Sequence, residues 1–158
     1  MSTRRHLIIA ALAFAPAARA LAHHGWSSFD QNRPVWLEGT ARRVAWRNPH
    51  AEFDLELPAD PSLPPDLARR VVPAQSAPVD AADLLGRARL PARRDRLWRV
   101  ELAPLTRMQA WGITGLADGD TVGVLGFELA DPKAAPLLRA EFLFAGGKAV
   151  GLRSSPAG

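Results

Sequence analysis

Histidine is scarce in this chain, four residues in 158, yet two of them are adjacent in "ALAHHGWSSFD", residues 20 to 30. His6 lies near the start, and His23, His24 and His50 make up the rest. If the chain is cut after Ala22, His23 becomes the first residue, and its α-amine and imidazole can chelate one metal ion together. A cut after Ala20 leaves Leu21-Ala22-His23, in which the amine, two deprotonated amides and the imidazole form a square-planar set. Nitrogen donors in a tetragonal arrangement favour Cu(II), which stands at the top of the divalent affinity order. His24 or His50 would complete either set. His50 is in phase with Glu52 on the polar face of the strand that follows it, so its side chain is expected to face outward. A closed structural zinc site fits less well, because it calls for four ligands and convincing partners for three histidines are lacking. The plainer alternative is a pair of solvated terminal histidines and a third that hydrogen-bonds its own turn.

The segment before the histidines gives these cuts their meaning. Arg4 and Arg5 form a positive start, Leu7 to Ala15 an apolar run, and Ala18-Arg19-Ala20 or Ala20-Leu21-Ala22 a small-residue cleavage site. Residues 1–22 therefore read as a secretory signal, with a loose twin-arginine character. Nine apolar residues closed by Pro16 fall short of the ~20 that span a bilayer. A periplasmic or secreted protein without a transmembrane span after processing is expected. Losing the signal removes Arg4, Arg5 and Arg19 from 20 basic residues and none of the 16 acidic ones, leaving a formal charge of 17 − 16 = +1. A nearly neutral domain has no electrostatic reason to seek nucleic acid, which needs clustered Lys and Arg. The absence of cysteine excludes disulfides, thiolate metal sites and a cysteine nucleophile.

Residues 23–158 are expected to form one exported domain. "VWLEGTARRVAW", residues 35 to 46, has strand composition with a change of apolar phase, and Gly39 suggests a bulge or bend there. Asn48-Pro49 makes the turn into "AEFDLEL", where Ala51, Phe53, Leu55 and Leu57 alternate with Glu52, Asp54 and Glu56. Residues 58–96 hold seven of the 14 prolines and read as an inserted, flexible, Pro-rich segment with a short helix from about Val79 to Leu90. "LWRVEL" is a third strand, Pro104 to Trp111 a short helix, and a turn at Asp118-Gly119-Asp120 feeds a fourth strand. "LLRAEFLFAGGKAVGL" closes the chain as a hairpin around Gly146-Gly147. A bent first strand and a helix between the third and fourth strands predict an all-β fold, a small five- or six-stranded OB-like barrel.

Other constellations carry less. Asp118-Gly119-Asp120 lacks the spacing of a calcium loop and is explained by its turn. Ser27, Ser28 and Asp30 supply triad residue types without a nucleophile-elbow motif. Trp26, Trp36, Trp46, Trp98 and Trp111 could line a ligand platform, though at least three are expected in the core. No catalytic residue is assigned and no phosphate loop or dinucleotide fingerprint is present.

Taken together, His23-His24-Gly25-Trp26, Phe29-Asp30, Leu37-Glu38-Gly39-Thr40, Trp46-Arg47-Asn48-Pro49-His50, Trp98-Arg99-Val100-Glu101, Trp111-Gly112 and Gly119-Asp120-Thr121-Val122 resemble a family of small exported bacterial proteins classed as a domain of unknown function. Gly25-Trp26 departs from the serine and phenylalanine more usual there, and the 58–96 insertion is unusually long. The resemblance implies export and a small β-rich fold, singles out His23, His24 and His50, and supplies no reaction. Two functions are therefore expected to compete: a copper-binding module built on the histidines, or a metal-free OB-like module that binds a ligand or assembles with an envelope protein.

Overall fold

A computed structural model describes residues 25–158. Six strands and two short helices alternate along it: β1 (Val35–Ala45), β2 (Glu52–Glu56), α1 (Ala81–Arg87), β3 (Leu97–Glu101), α2 (Leu105–Ala110), β4 (Thr121–Glu128), β5 (Leu137–Ala145) and β6 (Lys148–Gly151). The sheet runs β3-β2-β1-β4-β5-β6, and a parallel pairing of β3 with β5 closes the first five strands into a barrel. Strand order, a long first strand shared between two partners, and a helix between β3 and β4 are those of an OB-like barrel. β6 adds one strand to the edge of β5. Gly146 and Gly147 both take positive φ in the β5–β6 turn, as a two-residue hairpin of the strands' right-handed twist requires.

β1 owes its reach to two local devices. Its first half pairs with β4 and its second with β2, and Thr40 belongs to both ladders. At the adjoining Gly39 a Cβ would overlap the backbone carbonyl of Glu56, so glycine is needed for close approach rather than for a special φ. The change of apolar phase occurs four residues later. The β1–β2 register shifts between Arg42 and Ala45, and Arg43 adopts a φ of 47°. Val35, Leu37 and Ala41 therefore face the core in one phase, while Val44 and Trp46 pack against it in the other.

Phe53, Leu55, Trp98, Val100, Val122, Val124 and Leu143 belong to the main hydrophobic cluster, and Met108 of α2 is buried in it. β4 and β5 are buried on both faces along most of their length. Their outward residues meet a second layer made by residues 58–96. Leu67 and Leu85 from that segment pack on Trp36, Leu125 and Phe142. α1 is shorter than the 79–90 expectation; Asp80 caps it by accepting from the Asp83 N–H at 2.9 Å, and Arg87 pairs with Asp83 one turn on. Backbone hydrogen bonds join Trp36 to Arg89, Arg89 to Pro34, and Ser76 to Ser155. The insertion thus crosses the barrel wall with an apolar underside and backbone attachments at Ser76 and Arg89.

Candidate functional site

His50 sits in the β1–β2 turn, directly after the cis Asn48-Pro49 peptide, and is half-buried. The ladder continues past β2: the Ala51 N–H donates to Ala103 and the Leu102 N–H to Ala51. Ala51 is in the main cluster, so His50 and Glu52 share the outward phase that alternation predicts. His23 and His24 lie outside the described residues. Among the described residues no three His, Asp or Glu side chains are grouped to hold a metal ion. A metal at His50 would therefore have to draw ligands from elsewhere in the chain.

The described chain starts at Gly25, and the next residue is firmly held. The Arg153 guanidinium lies 3.7 Å from the centre of the Trp26 ring and that of Arg139 at 5.2 Å, while Phe127 meets the ring edge-on at 6.4 Å. Such contacts are worth ~0.5–2 kcal/mol each, more when water is excluded. Arg153 is itself fixed by Glu141, a carboxylate with 0% exposure, through bonds of 2.8 and 2.6 Å; Gln75 donates a further bond to Glu141 at 3.2 Å. The anchor therefore gathers the N-terminal segment, the insertion, β5 and the C-terminal tail. Arg139 pairs with Glu101 at 3.1 Å, and Glu101 stands opposite Glu52, two residues from His50. With strands ~4.8 Å apart and residues ~3.3 Å apart along each, this register puts the Cα atoms of His50 and Arg139 about 12 Å from one another.

The outer face of β1, β2 and β3 is a ladder of opposite charges. Arg42 pairs with Glu56 at 2.9 Å, and Arg99 with Glu52 at 3.0 Å and Asp54 at 2.7 Å; Arg43 also binds Asp54. Asp54 is buried between its two arginines. The side chains facing outward on β2 and β3 include carboxylates where an OB surface that binds oligonucleotides carries stacking aromatics. The Asp118 and Asp120 carboxylates accept backbone N–H bonds from Val44 and Ala117, as a turn requires. Trp36 and Trp98 are fully buried, and Trp46 and Trp111 pack against the main cluster. Glu128 is held above the ordinary carboxylate range by burial, against the opposing influence of Arg33 and Arg93, and its Oε1 has no hydrogen-bond partner.

One recess was not foreseen from the sequence. Between the outer face of β1 and the first part of the insertion lies a cleft of about 770 Å³, floored by Glu38, Thr40, Arg42 and Thr121 and walled by Pro58, Pro61, Leu63 and Pro65. The signal that could have exposed it is the run of consecutive apolar residues Val35-Trp36-Leu37, all three of them buried, which requires a second layer outside β1.

No curated protein and no solved structure matches the chain. Residues 11–62, which include His23, His24 and His50 and end inside the insertion, match the model of a family described as "Family of unknown function (DUF6152)".

Proposed function

We propose that this is an exported protein, processed at Ala22, whose new N-terminus binds one copper ion. The His23 α-amine and imidazole are the principal ligands, and His24 or His50 completes the set. Nitrogen donors of this kind suit Cu(II). The observation that carries the reading is the capture of Trp26 by Arg139 and Arg153. It anchors the chain two residues after His24 beside Arg139, whose neighbours across the strands are Glu101 and then Glu52. From Trp26 back to His23, three residues of chain reach at most ~10 Å, against about 12 Å between the Cα atoms of Arg139 and His50. Anchoring a short terminal segment also lowers the entropy lost when its ligands converge.

Native mass spectrometry of the protein recovered from the periplasm, after expression with its own leader and added copper, tests this. A mature chain starting at His23 and retaining one copper supports it. A mature chain that carries no copper, or one starting well beyond His24, overturns it.

The second reading is a metal-free binding module, and the cleft beneath the insertion is the observation that favours it.

A further inference from the structure

We infer that the cleft between β1 and the proline arm is a binding site for an uncharged, hydroxyl-rich chain, a short oligosaccharide; this rests on the second reading and is independent of copper. Its volume, about 770 Å³, falls in the range of sites for small organic ligands, ~300–1,000 Å³. Residue chemistry then narrows the class. Two ion pairs line it, Arg42 with Glu56 at 2.9 Å and Arg70 with Asp66 at 3.1 Å, while Arg96 donates to the Leu57 carbonyl. Glu38 makes no ion pair among the described residues and stands in the floor of both this cleft and the adjoining recess at Phe144. With Arg96 the cation and Glu38 the carboxylate left without an opposite charge, the lining holds three cations and three carboxylates, and its zero net charge favours no ionic ligand.

An apolar ligand fits no better. Trp36, the aromatic nearest the floor, is 0% exposed and lies beneath the Arg70 guanidinium, 5.2 Å from its ring centre. A peptide adding to β1 as a strand would find only Leu37–Gly39 open, because on that edge the Trp36 N–H already donates to Arg89 and Thr40 is paired with Glu56. Hydroxyl groups suit what remains. Each both donates and accepts, so each can bridge a carboxylate, a guanidinium or the hydroxyls of Thr40, Ser62 and Thr121 without breaking the existing pairs. Pro58, Pro61 and Pro65 offer C–H surfaces for the faces of sugar rings. Their fixed φ also stiffens the wall before ligand arrives, which reduces the ordering cost of binding.

The test uses the full mature chain, titrated with maltotetraose, cellotetraose and chitotetraose, with tetragalacturonate as the anionic probe and an unstructured neutral peptide as the third. Backbone NMR shifts locate binding and calorimetry gives its strength. At least one neutral tetrasaccharide is expected to bind and to shift Thr40, Ser62 and Thr121, with Glu38→Ala and Ser62→Ala each weakening it at least tenfold. Both residues are at the surface or rim, and an unchanged amide spectrum elsewhere shows that each variant is folded. His23→Ala should leave saccharide binding unchanged, so loss of copper binding does not bear on this result. The proposal is overturned by no binding of any neutral tetrasaccharide, by shifts confined to another face, or by tighter binding of tetragalacturonate or the peptide.

Discussion

Leu85→Ala tests whether the proline-rich insertion is a structural layer of the barrel. Leu85 is 2% exposed in a cluster with Trp36, Leu67, Leu125 and Phe142. Truncation removes three carbon atoms from contact, about 2.4 kcal/mol at ~0.8 kcal/mol per buried methylene. A residual cavity adds to this, and rigid cores reach ~5 kcal/mol. Here the partly buried Val79, Ala81 and Leu84 border the cluster and can relax into the space, so about 2–3 kcal/mol is expected. Urea unfolding followed by tryptophan fluorescence reads the global term, and native-state hydrogen exchange at α1 against β4 amides separates local from global opening. Val71→Ala, in the same segment but 85% exposed, is the control and should cost no more than ~0.5 kcal/mol. Equal, small effects of the two substitutions on both global stability and α1 exchange would refute the packing argument.

Three further outcomes follow from the same geometry. Arg153→Ala leaves Glu141 buried with Gln75 as its remaining side-chain donor and also uncovers Trp26; a loss of about 2–4 kcal/mol is expected because an uncompensated buried charge is costly, while Glu141→Gln in the same background should recover part of it, as denaturant titration would show. Gly39→Ala forces a Cβ into the Glu56 carbonyl, so thermal melting should fall by well over the ~1 kcal/mol of an ordinary substitution, whereas Gly119→Ala, at a turn with open space, should show only the cost of its positive φ. Burial raises the Glu128 carboxyl above its usual range; its folded state favours the neutral form, so its contribution is complete below the unfolded pKa and is lost as pH rises through the raised value. Glu128→Gln should flatten that decline in a stability–pH curve, and an unchanged slope would contradict the burial.

The barrel is legible because its core strands follow simple periods. Ala51, Phe53, Leu55 and Leu57 alternate with acidic residues, and the helix between β3 and β4 limits the topologies available. The bend in β1 was readable, but its phase change was not placed correctly by the glycine: the bulge lies at Arg43, since an arginine in left-handed conformation carries no mark in a single sequence. The second layer was obscured because Leu67 and Leu85 are isolated among prolines and charges. Their partners, Trp36, Leu125 and Phe142, look like ordinary apolar residues until one notices that both faces of their strands are apolar. Glu141 was hidden for a related reason, since the register shift in the β4–β5 ladder removes it from simple alternation. Its partner Arg153 is 12 residues distant, beyond any local pattern. His50 was placed by phase alone, whereas the anchoring of Trp26 by two arginines from β5 and the C-terminal tail leaves no mark in the local sequence.

Copper titration of the chain beginning at His23, in competition with an isolated His-His-Gly-Trp peptide and read by electron paramagnetic resonance, decides whether the barrel contributes to a copper site. The account predicts one Cu(II) per chain, bound at least tenfold more tightly than by the peptide, with nitrogen hyperfine structure and with His23→Ala abolishing the advantage. Affinity equal to that of the peptide would mean that the barrel contributes nothing to the site and would contradict the account.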